Sequence, residues 1–349
     1  MSAATRARSI GCYSEIDLDL KLLLKRGALL AAANWPTVAI QFAAETTFQV
    51  LLAVPVIGAA ILVAVLLGAD LANLLQGSMR EMIAAIAGAL MSEPMALVAF
   101  AAACSIVLLG GSVLMFLVKG GTVDVFLAAH DAAGPIEREP ITLDTLRSAA
   151  VFTLQRYMDG CGRLFRRYLM LGLILMLAYA ISVGGYLAFV VLGYRAAGDR
   201  ALVIGWTFVV AVAAVGLVLW ITVVNLVYLL LQIAVAAGNA GVADAFRAVV
   251  MFIRTEFREL GGVFLVILGM VVAATLASAL AWSGVGLVAF VPLVGLAVFP
   301  LQIAALLVRG LVFEYIGLTA LGAYVTLYRR HVAEPGRAPS AVPAKAFGT

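Results

Sequence analysis

The sequence predicts an all-α protein, a polytopic transmembrane helical bundle of about six spans with amphipathic helices at the membrane interface. Three observations predict it. Of the 349 residues, 64% are hydrophobic and only 12% charged, about half the charge of an ordinary soluble domain, so water cannot solvate the chain as a globule. The apolar residues come in charge-free runs such as Ala201 to Val242 and Gly261 to Val308, each longer than the roughly 20 residues that carry a helix across a ~30 Å hydrocarbon core. The 23 Lys and Arg residues, finally, crowd into alternate connections between those runs.

Met1 to Arg26 is polar, with Arg6, Arg8, Glu15, Asp17, Asp19, Lys21, Lys25 and Arg26, and lacks the apolar core of a cleavable signal. The first span is therefore expected to serve as the targeting signal. Apolar runs bounded by charge place the spans at about 36–68, 95–118, 169–194, 201–236, 261–283 and 301–328. Five basic residues precede the first span, seven lie in 119–168, three in 237–260 and four beyond residue 328. The opposite connections hold Arg80, Arg195 and Arg200, and Arg309 falls inside the sixth span. A split of 19 against 3 predicts that both termini are cytoplasmic and that the protein crosses the cell membrane several times.

Two runs exceed a simple span. Residues 201–236 amount to about 54 Å of helix, so that helix must bend, tilt or project. Gly284 to Pro300, punctuated by Gly and Pro, reads as a half-helix dipping into the outer leaflet. Counted instead as a seventh span, it would put Arg329 and Arg330 outside.

The basic connections are amphipathic. Leu143, Leu146, Ala150, Leu154, Tyr157, Cys161, Leu164 and Tyr168 recur at three- and four-residue steps, making one apolar helical face. Arg147, Arg156, Arg163, Arg166 and Arg167 largely fall off that stripe, as suits a helix in the headgroup region with its bases toward anionic lipid. Val242, Phe246, Val249, Ile253, Phe257 and Leu260 form a second stripe, with Arg247 and Arg254 beside it, and residues 18–34 lead into the first span in the same way. A basic residue precedes an aromatic by ten positions in each lead-in: Lys25 and Trp35, Arg147 and Tyr157, Arg247 and Phe257. Gly121 to His130 and Gly322 to His331 repeat one spacing at two span exits. Residues 1–335 thus read as one transmembrane domain of three units, about 15–135, 136–240 and 241–335. The Pro-rich 336–349 tail reads as disordered.

Two stretches carry a family resemblance. Ala243-Asp-Ala-Phe-Arg-Ala-Val-Val-Met-Phe-Ile-Arg-Thr-Glu-Phe-Arg-Glu-Leu-Gly-Gly262 running into an apolar span, and Leu321-Gly-Ala-Tyr-Val-Thr-Leu-Tyr-Arg-Arg330 closing the last one, resemble the membrane-domain family associated with glycerophosphodiester phosphodiesterases. Members of that family often stand alone as six-span proteins. The region from Val38 through Val54-Pro55 to Met79 is also similar, more weakly, to the YihY/BrkB family of envelope proteins. Neither resemblance implies an activity for this chain, because phosphodiesterase chemistry resides in a separate soluble barrel of about 200 residues or more. The longest polar segment here, 119–168, has no room for one.

The chemistry-bearing residues within the spans are few. Arg309 and Glu314 in the sixth, Glu45 in the first and Asn225 in the fourth are the candidate intramembrane polar site, since buried charge in a bilayer is costly. Arg309 and Glu314, about 140° apart around their helix, are poor partners for each other. Asn225, with Gln232 and Gln302, is expected mainly to bond neighbouring helices. Gly110-Gly111, Gly120-Gly121 and Gly184-Gly185 read as close helix contacts or joints. His130 and His331 suit helix ends better than a metal site, and Cys12, Cys104 and Cys161 do not suggest disulfides. Nucleophile elbows, phosphate-binding glycine loops and zinc-ligand spacings are absent from the sequence. The chain is therefore expected to be non-enzymatic and free of cofactor and metal. It is read as a scaffold or a lipid-interacting bundle, with anionic lipids as partners and a membrane protein or a second copy as the further candidates. Nucleic acid is not expected, because the basic residues lack interleaved stacking aromatics. The alternative is a transporter or channel for a small solute or lipid using Arg309 and Glu314.

Overall fold

The computed structural model of the chain describes residues 20–67, 94–196, 200–239, 241–289 and 292–333. Among them every regular element is a helix and no strand occurs. Helix α1 covers 20–33, and α2 runs Trp35–Leu67, α3 Pro94–Ala132, α4 Leu143–Ala149, α5 Leu154–Ala196, α6 Arg200–Gly238, α7 Val242–Thr255, α8 Phe257–Ala289 and α9 Pro292–Ala333. Six helical stretches are long and apolar enough to cross a membrane: Trp35–Pro55, Val98–Ala132, Leu143–Ala196, Ile204–Gly238, Phe257–Ala281 and Pro300–Ala333. The protein is an integral, multi-pass membrane protein built as a helical bundle. Cys12, the stretch around Met79 and Arg80, and the 336–349 tail lie outside the described residues.

The chain divides into two compact units, residues 1–39 with 119–349, and residues 40–118. In the smaller unit the outer part of α2 and the first part of α3 meet where Gly111 faces the Phe48 ring; a Cβ on Gly111 would collide with that ring. Its neighbour Gly110 faces open space.

Among the described residues of the larger unit, burial is confined to one end. Leu30 and Ala31 of α1, Val123 to Ala129 of α3, Tyr157 to Leu171 of α5, Tyr228 to Ala236 of α6, Val249 and Phe252 of α7, and Leu318 to Tyr328 of α9 supply its core. Beyond this layer the helices present large apolar side chains outward, from Leu173 to Val223 on α5 and α6 and from Leu265 to Val312 on α8 and α9. Apolar surface on that scale is stable only against hydrocarbon. The 201–236 run is one helix because it does two jobs: its outer part faces lipid, and its last turns project into the packed end. The described residues of the 284–300 stretch form no separate half-helix. Its residues up to Ala289 continue α8, and from Pro292 they open α9, which carries Pro300 inside it.

The α5–α6 hairpin is stitched along its length. Tyr168 donates to the Gln232 carbonyl at 2.8 Å, Tyr179 to Asn225 Oδ1, Trp220 to Ser182 Oγ at 3.0 Å, and Tyr186 to the Val210 carbonyl at 3.2 Å. Tyr194 and Thr207 share a hydrogen bond of 3.0 Å near the turn. Polar side chains on lipid-embedded helices find partners on the neighbouring helix because water is not there to serve.

Candidate functional site

The basic end is closed by three polar joints. The first is Asn34, fully buried at the break between α1 and α2. Its Nδ2 donates to the carbonyls of Leu30 and Ala149, each at 3.0 Å, and its Oδ1 accepts from the Val151 and Phe152 amides at 3.1 Å. One amide side chain thus serves the end of α1 and the irregular stretch between α4 and α5. The second is Arg26, which pairs with Glu137 at 2.7 Å and donates to the Gly134 and His130 carbonyls at 2.7 and 3.1 Å. Lys25 adds a bond to the Glu137 carbonyl at 2.7 Å. Arg26 thus occupies the His130 carbonyl at the end of α3, where the helix dipole also favours positive charge, and both cations bond carbonyls of the segment that follows. The third binds the last turns of α9: Arg329 to Asp131 at 2.8 Å, Arg330 to Glu259 and to Glu256 at 3.7 Å, and Thr326 to His130 Nδ1 at 3.3 Å. His331 lies 3.7 Å from Glu256 and packs on the Phe252 ring.

Glycines let these helices approach. A Cβ on Gly121 would lie 2.7 Å from both Cys161 Sγ and the Tyr157 carbonyl, so α3 and α5 cross with almost no side chain between them. Gly322 of α9 stands equally close to Gly27 of α1, its would-be Cβ 2.8 Å from Gly27 Cα. Gly184 and Gly185, by contrast, face open space.

This packing corrects the reading of the 143–168 stripe as a helix lying in the headgroup plane. The helix is interrupted between Ala149 and Leu154. Its inner part, with Tyr157, Cys161, Leu164 and Tyr168, is buried against protein, while Leu143 and Leu154 are exposed. The arginines divide accordingly. Arg163 pairs with Asp124 and Arg167 with Asn239, both holding the bundle together. Arg156 reaches the Val151 carbonyl at 3.4 Å and Arg147 the neighbouring Asp144 at 3.4 Å; both side chains are exposed, as is Arg166. On α7, Val249 and Phe252 are buried and Phe246 and Met251 exposed, with Arg247 and Arg254 exposed beside them. Arg247 has Asp244 3.4 Å away.

The intramembrane candidates do not converge. Arg309 is exposed, its guanidinium 5.6 Å from the Phe313 ring centre one turn further along the same helix. Glu314 is half-buried and already engaged in a contact. Asn225 is taken by Tyr179, and in the smaller unit Glu45 accepts from Gln49 at 3.3 Å. Among the described residues no three His, Cys, Asp or Glu side chains group as metal ligands would.

The feature that the sequence reading missed is a groove of about 670 Å³ walled by α5, α6 and α7. Its lining is apolar along its length, from Ala178 and Trp220 at one end to Met170, Leu231 and Phe246 at the other, where Arg247 stands. No residue within one helix announces it, since three elements contribute the walls. Comparison with protein-family models, with curated proteins and with solved structures gives no match.

Proposed function

We propose that the protein is a non-enzymatic bundle of the cell membrane that engages anionic lipid at its basic, cytoplasmic end, with both termini on that side. The observation that carries this reading is the surface left over once the bonds between helices are assigned. Arg147, Arg156, Arg166, Arg247 and Arg254 are exposed among the exposed apolar side chains of Leu143, Leu154, Met158, Phe246, Met251 and Phe257. Guanidinium groups flanked by apolar anchors suit the boundary between hydrocarbon and anionic headgroups. The three lead-in units of the sequence support the same picture: the exit of α3 packs on the lead-in of α5 through Gly121, α6 packs on α7, and the exit of α9 packs on α1 through Gly322. A link to the phosphodiesterase-associated membrane domains rests on the sequence resemblance alone.

The transport alternative needs Arg309 and Glu314 to share a polar path. Arg309 stands twenty residues, about 30 Å of helix, from Arg329. With Arg329 near one boundary it reaches the other, where it can snorkel. The lipid reading is tested by excising the protein from cell membranes in polymer-bounded discs and comparing the disc lipids with the bulk membrane. Enrichment of anionic lipid is expected, and bulk composition in the discs would overturn the reading.

A further inference from the structure

Resting on that lipid reading, the geometry points to a built site for one lipid: the α5–α6–α7 groove holds an acyl chain of an anionic phospholipid from the cytoplasmic leaflet, with Arg247 at its mouth pairing the phosphate. The groove's volume of about 670 Å³ is in the range of small-molecule sites, roughly 300–1,000 Å³. Two of its three walls, α5 and α6, are helices long and apolar enough to cross the membrane, so the medium along them is hydrocarbon rather than water.

Its length and depth match one leaflet. From Leu231 at the mouth to Trp220 at the far end is eleven residues of α6, about 16 Å, close to half of a ~30 Å hydrocarbon core. Arg195, at the other end of the hairpin, is 21 residues from Ile174 of the groove, about 32 Å. A bilayer whose outer boundary is at Arg195 therefore has its inner boundary near the groove's mouth. Trp220 is held at the far end by its hydrogen bond to Ser182. The Arg247 side chain is largely exposed, and its pair with Asp244 is a loose one at 3.4 Å, so guanidinium donors are left for phosphate oxygens. The first turn of α7 begins at Gly241 without a side-chain cap, and Val242 and Ala243 of that turn line the groove. A zwitterionic lipid fills the groove equally well with its chain but adds an ammonium group beside Arg247. The structure thus favours a net anionic headgroup.

The test uses the full chain reconstituted in phosphatidylcholine vesicles containing a minor fraction of either phosphatidylglycerol or phosphatidylcholine brominated on the acyl chain. Quenching of Trp220 is isolated as the difference between the wild type and Trp220→Phe. Brominated phosphatidylglycerol is expected to quench Trp220 with about fivefold greater apparent affinity than brominated phosphatidylcholine, the effect of one basic residue beside an anionic lipid. Arg247→Gln should abolish the preference and Arg247→Lys restore most of it; Ala178→Phe, which fills the groove, should reduce quenching by both lipids. Equal quenching by the two lipids, or a preference that survives Arg247→Gln, overturns the headgroup assignment. Trp220 quenching that Ala178→Phe leaves unchanged overturns the groove. If the purified wild type still retains anionic lipid when Trp220 shows neither effect, the groove fails and the broader lipid reading stands; if it retains none preferentially, the broader reading fails first.

Discussion

Replacing Asn34 with alanine removes a side chain that makes four hydrogen bonds inside the packed end, two as donor and two as acceptor. The Leu30 carbonyl still accepts from the backbone amide of residue 34, so it is not orphaned. The Ala149 carbonyl at the end of α4, and the Val151 and Phe152 amides in the connection beyond it, lose their Asn34 partner. A buried group left unpaired costs about 1–3 kcal/mol. Val151 and Phe152 are only half-buried, so water can partly serve their amides. The expected loss is about 3 kcal/mol. Reversible unfolding in mixed micelles, followed by circular dichroism and by reactivity of buried Cys161, measures it. Asn34→Asp should be nearly as damaging, because it keeps the acceptor, loses the donor to Ala149 and buries a charge. A loss below about 1 kcal/mol in Asn34→Ala, within the usual range of surface substitutions and single neutral hydrogen bonds, would refute the view that this residue joins α1 to the α4–α5 connection.

Three further outcomes follow from the same geometry. Glu137→Ala leaves Arg26 buried with carbonyl partners but no counter-charge, and should cost about 2–3 kcal/mol in the same unfolding assay. Neutralising Arg309 and Glu314 together should leave folding intact and change no solute flux in proteoliposomes; flux abolished in a folded double variant would favour the transport alternative. Single cysteines at 166 and 330 should be labelled only from the cytoplasmic side and one at 195 only from outside. External labelling at 330 alone would restore the seven-span count, and external labelling at both 166 and 330 would reverse the orientation.

The span positions were legible in the sequence because a bilayer imposes one simple requirement, a long uncharged helix, and the runs from 201 and from 261 meet it without tertiary help. Glycine function was half legible. Gly121 and Gly111 do sit at close crossings, while Gly184-Gly185 has the same local sequence character and touches nothing, since a glycine pair does not say which helix will pass it. The stripe over 143–168 was legible as one apolar helical face turned to the headgroup region, but its Tyr157 to Tyr168 part is buried against protein and Leu143 and Leu154 are exposed. Period alone cannot distinguish a face turned to headgroups from one turned to another helix, and the deciding residues, Gly121 and Asp124, lie about forty positions away. The Arg26–Glu137 pair and the Asn34 joint were invisible for the same reason: the partners are more than a hundred residues apart. Arg163 and Arg167 read as lipid contacts only because their partners Asp124 and Asn239 belong to other segments.

The central claim is that exposed arginines at the basic end select anionic lipid, and headgroup selectivity as a function of salt tests it most directly. With the protein in vesicles of mixed phosphatidylglycerol and phosphatidylcholine, the wild type should prefer the anionic lipid severalfold at low ionic strength. Each basic residue near the surface contributes about 1 kcal/mol to such attraction. The preference should fall as salt shortens the Debye length toward ~3 Å at 1 M. A variant with Arg147, Arg156, Arg166, Arg247 and Arg254 all changed to Gln should show little preference at any salt. An equal preference in the wild type and this variant, or none in the wild type at low salt, would contradict the account.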